Sequence, residues 1–132
     1  MDLQRHVDDV GRATRALEAF TSQHGIGLAH RRRLVLVVDD ALGNLVHYSS
    51  DLRAIALRVE LDQARVVVVI VDHGAPFDPL ALPAPDTSLS AEERPVGGLG
   101  IHLMRTLMSD VQYGRDGDRN VLRLTLSLGD PA

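Results

Sequence analysis

Three short stretches of this chain hold residues whose types and spacing suit chemistry on a nucleotide. The first is Asp40 and Asn44. A separation of four residues is close to one helical turn, so on a helix both side chains share a face. A carboxylate there can accept a proton or hold a water, and an amide oxygen beside it is the kind of hard donor Mg²⁺ takes. The same spacing also describes an ordinary exposed polar turn. Gly43 adds information: it is worse than Ala inside a helix by about 1 kcal/mol, and its apolar neighbours make close approach of another group one reason for it. Asp39 would point about 100° away on a regular helix and is a poor substitute for Asp40.

The second stretch is VDHGAPFDP, 71–79. A carboxylate at a strand end, here Asp72, can accept a hydrogen bond from an exocyclic amino group. Adenine offers that donor, whereas guanine presents a carbonyl in the same place. A buried carboxylate facing an acceptor is heavily penalised, which is where large discrimination arises. Gly74 would let the backbone lie close to a base, although Asp and Gly also make simple strand-end turns. The third stretch is RPVGGLGIHLM, 94–104. Gly97, Gly98 and Gly100, with Leu99 among them, stand before a helical pattern. Backbone N–H groups at a helix start are unsatisfied and attract phosphate. The glycines follow a long loop and lack a Gly-Lys-Ser/Thr sequence, so this is neither a dinucleotide fingerprint nor a Walker A loop. His102 would lie in the first turn of that helix, touching a phosphate or making a structural contact. Arg94 either reaches a γ-phosphate or is a plain surface arginine.

The elements needed to position these residues can be read from periodicity. Residues 5–23 read as a helix through Val7, Val10, Ala13, Leu17 and Phe20, with Gly25 as its stop. A second helix over about 29–49 has a broad apolar face, and His47 and Tyr48 read as its end packed against a sheet. Alternation over 54–61 and the β-branched run 65–71 predict two strands joined tightly at Asp62-Gln63. Residues 72–96 form a long proline-rich loop, which is usually functional; Ser88 and Ser90 within it are open to modification, though nothing demands it. A helix over about 98–109 follows. Residues 111–115 and 121–128 then form a hairpin turning near Asp116-Gly117-Asp118. Hairpins outnumber crossovers, so the fold predicted is an α/β (α+β) two-layer sandwich with a mostly antiparallel sheet and helices on one face.

Bulk properties narrow the field. The 132 residues, without repeat or linker, suit one domain spanning 1–132. A 45% hydrophobic content argues against disorder, and only 3% aromatic residues imply an aliphatic core. The net charge of −4 disfavours direct nucleic-acid binding. The lack of cysteine excludes disulfides and thiol chemistry. The six histidines show no metal-ligand spacing, and His6 lacks the surroundings of a phosphoacceptor histidine. No signal-like or membrane-length apolar run is present, so a cytoplasmic protein with no membrane association is expected.

In order, D-x-x-x-N, then D-x-G-x-P-F-D-P, then G-G-L-G-x-H-L resemble the N, G1 and G2 boxes of the GHKL superfamily, the Bergerat ATP-binding fold. Among its branches, the small anti-sigma regulatory factors, serine-protein kinases of bacterial partner-switching systems, are most similar. The resemblance runs from about 10 to 128. It implies that Asn44 ligates Mg²⁺, Asp72 recognises adenine, Gly74 is the glycine of the first box, Gly98 and Gly100 lie beside the phosphates, and 79–96 is the ATP lid. It implies ATP and Mg²⁺ as cofactors, a STAS-domain anti-sigma factor antagonist as phosphoacceptor, a sigma factor or other client, and a possible homodimer. Such proteins often begin with a strand, for which only MDLQ is available here, so that strand is expected to be short or absent. They usually carry Glu four residues before the Asn. Asp40 is one methylene shorter, and a base acts only within hydrogen-bonding reach. Two readings therefore stand: a serine/threonine kinase with Asp40 as catalytic base, or an ATP-binding module with weak or no activity that sequesters its client.

Overall fold

The computed structural model describes residues 2–3, 7–48, 55–62, 64–76, 78 and 104–129. Two helices, α1 (Val7–Gln23) and α2 (Leu28–Tyr48), lie within two residues of their expected limits. The turn between them is set by Gly25. Its φ of 78° is left-handed, a conformation glycine adopts without steric cost. The amide of Gly25 bonds to Ser22 O at 3.1 Å and that of Ile26 to Thr21 O at 3.0 Å. These two bonds satisfy carbonyls that the helix end would otherwise leave open. Ile26 then drops into the core at 5% exposure. Thr21, buried on the same stripe as Ala13 and Leu17, satisfies its hydroxyl on Leu17 O at 2.9 Å.

The strands are β1 (Asp2–Leu3), β2 (Ile55–Leu61), β3 (Arg65–Asp72), β4 (Asp110–Asp116) and β5 (Arg119–Ser127), in the order β1-β2-β3-β5-β4 and antiparallel throughout. The N-terminal strand is present but short: Asp2 and Leu3 pair with Ala56 and Ile55. The β2–β3 turn is held by Asp62, whose Oδ1 accepts from the amides of Ala64 at 2.7 Å and Arg65 at 2.9 Å. The β4–β5 hairpin turns at Gly117, φ 60°, as its sequence suggests.

One face of the sheet carries Ile55 and Leu57, Val66, Val68 and Ile70, and Leu122, Leu124 and Leu126. These pack with Ala13 and Leu17 of α1 and Leu34, Val37, Val38, Ala41, Leu42 and Leu45 of α2 in one core cluster. This is the two-layer arrangement expected, with the helices on one face. Val67 and Val69 point the opposite way and are nearly as buried, at 3% and 4%, because β3 lies between β2 and β5 and the longer side chains of Arg58 and Arg123 stand in register beside Val69. Residues 104–107 are helical, inside the helix expected at 98–109, and Met104 and Met108 enter the core; 98–103 lie outside the described residues.

Leu124, at the centre of β5, is fully buried. Leu124→Ala should cost about 2–5 kcal/mol through lost burial and a residual cavity, read from the shift in a urea unfolding midpoint. A loss below about 1 kcal/mol would be incompatible with its place in the core.

Candidate nucleotide site

Alternation along β3 places Val66, Val68, Ile70 and Asp72 on the helix side of the sheet. Asp72 closes the strand at 2% exposure. Cross-strand pairing sets it opposite Asn120 of β5, which in turn faces Arg115 of β4. Asp72 Oδ1 accepts from the Gly74 amide at 3.0 Å and from Asn120 Nδ2 at 2.9 Å. The same Nδ2 donates to Ala75 O at 2.9 Å, and the Tyr113 hydroxyl donates to Asn120 Oδ1 at 2.5 Å. Arg115 Nη1 holds Gly74 O at 2.7 Å while its Nε donates to Gly117 O at 3.1 Å. The turn after Asp72 is thus tied to the β4–β5 hairpin. Among the described residues no donor reaches Asp72 Oδ2. Burial raises the Asp72 carboxyl above the usual range, and this outweighs the opposing hydrogen bonds from Asn120 and Gly74 and the positive fields of Arg115 and His73.

The second part of the site lies on α2. Asn44 falls on the buried stripe at 3% exposure, and its Nδ2 has no hydrogen-bond partner among the described residues. An unsatisfied buried amide costs about 1–3 kcal/mol. One turn earlier, Asp40 is half-buried, with no ion pair or hydrogen bond to the described residues. Its carboxyl is raised by desolvation and, second, by the neighbouring charge of Asp39. Asp39 is exposed, so it does not share Asp40's environment. The start of the helix is at the far end of the molecule: His24, Gly27 and His30 line a cavity with Leu61, Asp62 and Leu128. Asp40 and Asn44 lie away from that end on the helix, and Asp72 lies away from it on the sheet.

Among the described residues nothing lies within 4 Å of a Cβ built at Gly43, so the space beside it is open to another group. One expectation needs correction. His47, expected at a helix end packed against the sheet, is exposed, because the buried stripe of α2 passes through Asn44 and Leu45 and leaves position 47 on the solvent side. Arg94, Gly97, Gly98, Leu99, Gly100 and His102 lie outside the described residues, as do Ser88, Ser90 and the side chain of Tyr48. Tyr113, Arg115 and Asn120 were not singled out from the sequence, where they read as ordinary hairpin residues. The signal was there for one of them: Asn120 is the polar member of the inward series 120, 122, 124, 126, otherwise all leucine.

Helices over one face of an antiparallel sheet, with a buried carboxylate at a strand end on that same face, make this a two-layer α+β domain. The chain belongs to the histidine kinase-like ATPase domain family, whose model matches residues 3–126. Membership implies ATP binding. The chain is 36% identical over 98 residues to the serine/threonine-protein kinase BtrW of Bordetella bronchiseptica (strain ATCC BAA-588 / NCTC 13252 / RB50), covering 72% of this chain and 69% of that protein. It is 32% identical over 93 residues to the serine-protein kinase RsbW of Bacillus cereus (strain AH187), covering 66% of this chain and 58% of that one. The match therefore spans less than two thirds of the Bacillus kinase. In structure, it resembles the histidine kinase domain of the Erythrobacter litoralis EL346 blue-light activated histidine kinase (TM-score 0.54, 17% identity, 92% of this chain and 60% of that one). It also resembles the Acinetobacter baumannii histidine kinase AdeS (TM-score 0.52, 18% identity, 76% and 48%). At these identities the likeness concerns the fold. Among the described residues no helix is long and apolar enough to cross a membrane.

The raised pKa of Asp72 has a thermodynamic sign. A carboxyl whose folded pKa exceeds its unfolded value binds more protons in the native state, so its ionisation costs stability. That cost is absent below the unfolded pKa, develops as pH rises through the folded pKa, and persists above it. Asp72→Asn should therefore melt at or above the wild-type temperature at pH 7, with the difference shrinking toward pH 3. Thermal melts across that range check it, and a variant destabilised equally at both ends would contradict it.

Proposed function

We propose that this chain is a serine/threonine protein kinase of the anti-sigma regulatory type, which binds Mg-ATP between α2 and the sheet and phosphorylates a serine on a STAS-domain antagonist. The observation that carries this reading is the pair on α2: a half-buried carboxylate at Asp40, unpaired among the described residues, one turn before a buried Asn44 amide nitrogen that lacks a partner among them. Its relatives' names as serine kinases support it.

Each residue then has a role. Asp72 Oδ2 accepts from the adenine amino group, since Oδ1 is already occupied. Asn44 fits a Mg²⁺ ligand through its hard amide oxygen, Oδ1, while its buried Nδ2 calls for an acceptor such as a phosphate oxygen; Mg²⁺ takes most of its ligands from phosphate and water. No cluster of three metal-ligating side chains is needed, and none is found among the described residues. When bound, the cation neutralises charge on the phosphates. Backbone N–H groups around Gly97, Gly98, Leu99 and Gly100 cradle phosphate, with His102 and Arg94 beside them, as the resemblance implies. Asp40 orients the partner's serine hydroxyl and takes its proton as the oxygen attacks the γ-phosphorus; the bond from that phosphorus to the β-phosphate oxygen breaks and ADP leaves. A carboxyl raised by burial is a stronger base than a solvated one. A sigma factor is the proposed client, and the protein acts in the cytoplasm, with a homodimer as its working form.

The second reading, an ATP-binding module that sequesters its client without catalysis, is favoured by one observation: a carboxylate one methylene shorter than the resembling family's Glu. Incubation with Mg-ATP and the cognate antagonist separates the two. Asp40→Ala should reduce phosphoserine formation by about 10²-fold or more while leaving ATP affinity near wild type. Asp40→Glu should leave the rate unchanged or lower. A large gain in Asp40→Glu, or no phosphoserine despite complex formation, would establish the sequestering module instead.

A further inference from the structure

The network behind Asp72 goes further than holding a turn. Asn120 is 2% exposed at an inward position where the rest of β5 carries leucine. Burying an amide there costs free energy unless it is hydrogen-bonded, and a leucine would simply extend the core. The core alone does not call for this residue. An amide is also nearly symmetric in shape, with a donor lobe and an acceptor lobe. Turned over, Asn120 would press its carbonyl oxygen against the Asp72 carboxylate.

We propose that Asn120 and Tyr113 are positioning residues that set the base selectivity of the nucleotide site: Tyr113 fixes which way the Asn120 amide faces, and that amide occupies one oxygen of Asp72 so that only the other is offered to the base. This rests on the reading of Asp72 as the base-recognising residue. The Tyr113 hydroxyl donates to Asn120 Oδ1 at 2.5 Å. Both hydrogens of Nδ2 are used, on Asp72 Oδ1 and Ala75 O, each at 2.9 Å. Asp72 Oδ1 also receives the Gly74 amide at 3.0 Å. One oxygen is filled and one is open among the described residues, so the carboxylate has a single orientation and one acceptor to present.

The network also opposes protonation. Burial pushes Asp72 toward its neutral form, and the Asn120 and Gly74 donors push it back. The distinction matters for selectivity: an ionised carboxylate only accepts, matching an amino group, while a protonated one can donate and so tolerate the guanine carbonyl. Removing the donor from Asn120 weakens the preference for adenine on both counts.

The experiment is equilibrium titration of the full chain with ATP and with GTP, alongside thermal melts, for wild type, Tyr113→Phe and Asn120→Leu. Tyr113→Phe removes one hydroxyl with little change of shape; ATP affinity should fall about 2- to 10-fold and the ATP-to-GTP ratio should fall with it. Asn120→Leu should remain folded, with a lowered melt from the partners it leaves unsatisfied, and lose about tenfold or more of that ratio. If both variants bind ATP and GTP in the wild-type ratio, including the case of equal losses for the two nucleotides, the positioning role is overturned and the nucleotide site stands. If the wild type itself shows no preference for ATP, the assignment of Asp72 to the base fails, and this inference fails with it.

Discussion

The pairing register between β3 and β5 is the constraint on which the rest of this structure depends. Side chains alternate across a strand, so a slip of one residue would exchange every inward position for an outward one. With Val68 opposite Leu124 and Ile70 opposite Leu122, the aliphatic side chains of both strands meet the helices. The same register sets Asp72 opposite Asn120. The core locks the register, and the register delivers the carboxylate and the amide to the same end of the same face. The site does not have to be stabilised by its own interactions, because a slip that separated them would also expose the valines and leucines of two strands.

That division of labour explains how the polar residues are tolerated. Asn44, Asp72 and Asn120 all lie at positions that the surrounding pattern would fill with apolar side chains, and all three are nearly free of solvent. Their treatment differs. Asn120 is satisfied at both ends of its amide. Asp72 is satisfied at one oxygen and raised in pKa by burial. Asn44 leaves its amide nitrogen without a partner among the described residues. The three form a gradient of hydrogen-bond satisfaction, with Asn120 the most settled and Asn44 the least. The open space beside Gly43, one residue before Asn44, belongs to the unsettled end of that series.

The architecture was legible in the sequence because its signals are local. Helical spacing in 7–23 and 28–48, the β-branched run of β3, and turns marked by Gly25, Asp62 and Gly117 each have a short-range cause. Asp40, Asn44 and Asp72 could also be named from spacing and residue type. Tyr113, Arg115 and Asn120 could not be joined to them in advance, since Asn120 reaches Asp72 and Arg115 reaches Gly74 across more than forty positions of chain. Only strand order brings them together, with β5 inserted between β3 and β4. The exposure of His47 was missed for a related reason: how far round a helix the sheet extends is a property of the packing, and the helix sequence does not contain it.

Arg115 has one further consequence. It lies on β4, a border strand whose polar residues are largely exposed, and border strands are among the elements that open locally before the whole domain unfolds. Yet Tyr113 and Arg115 of that strand are the supports beneath the Asp72 turn. Each transient fraying of β4 removes those supports, and any molecule that requires them intact draws the strand back into the sheet. For such a molecule, occupancy at the carboxylate and amide-hydrogen exchange along the border strand would be two readings of one equilibrium, linked through the Arg115 guanidinium and the Tyr113 hydroxyl.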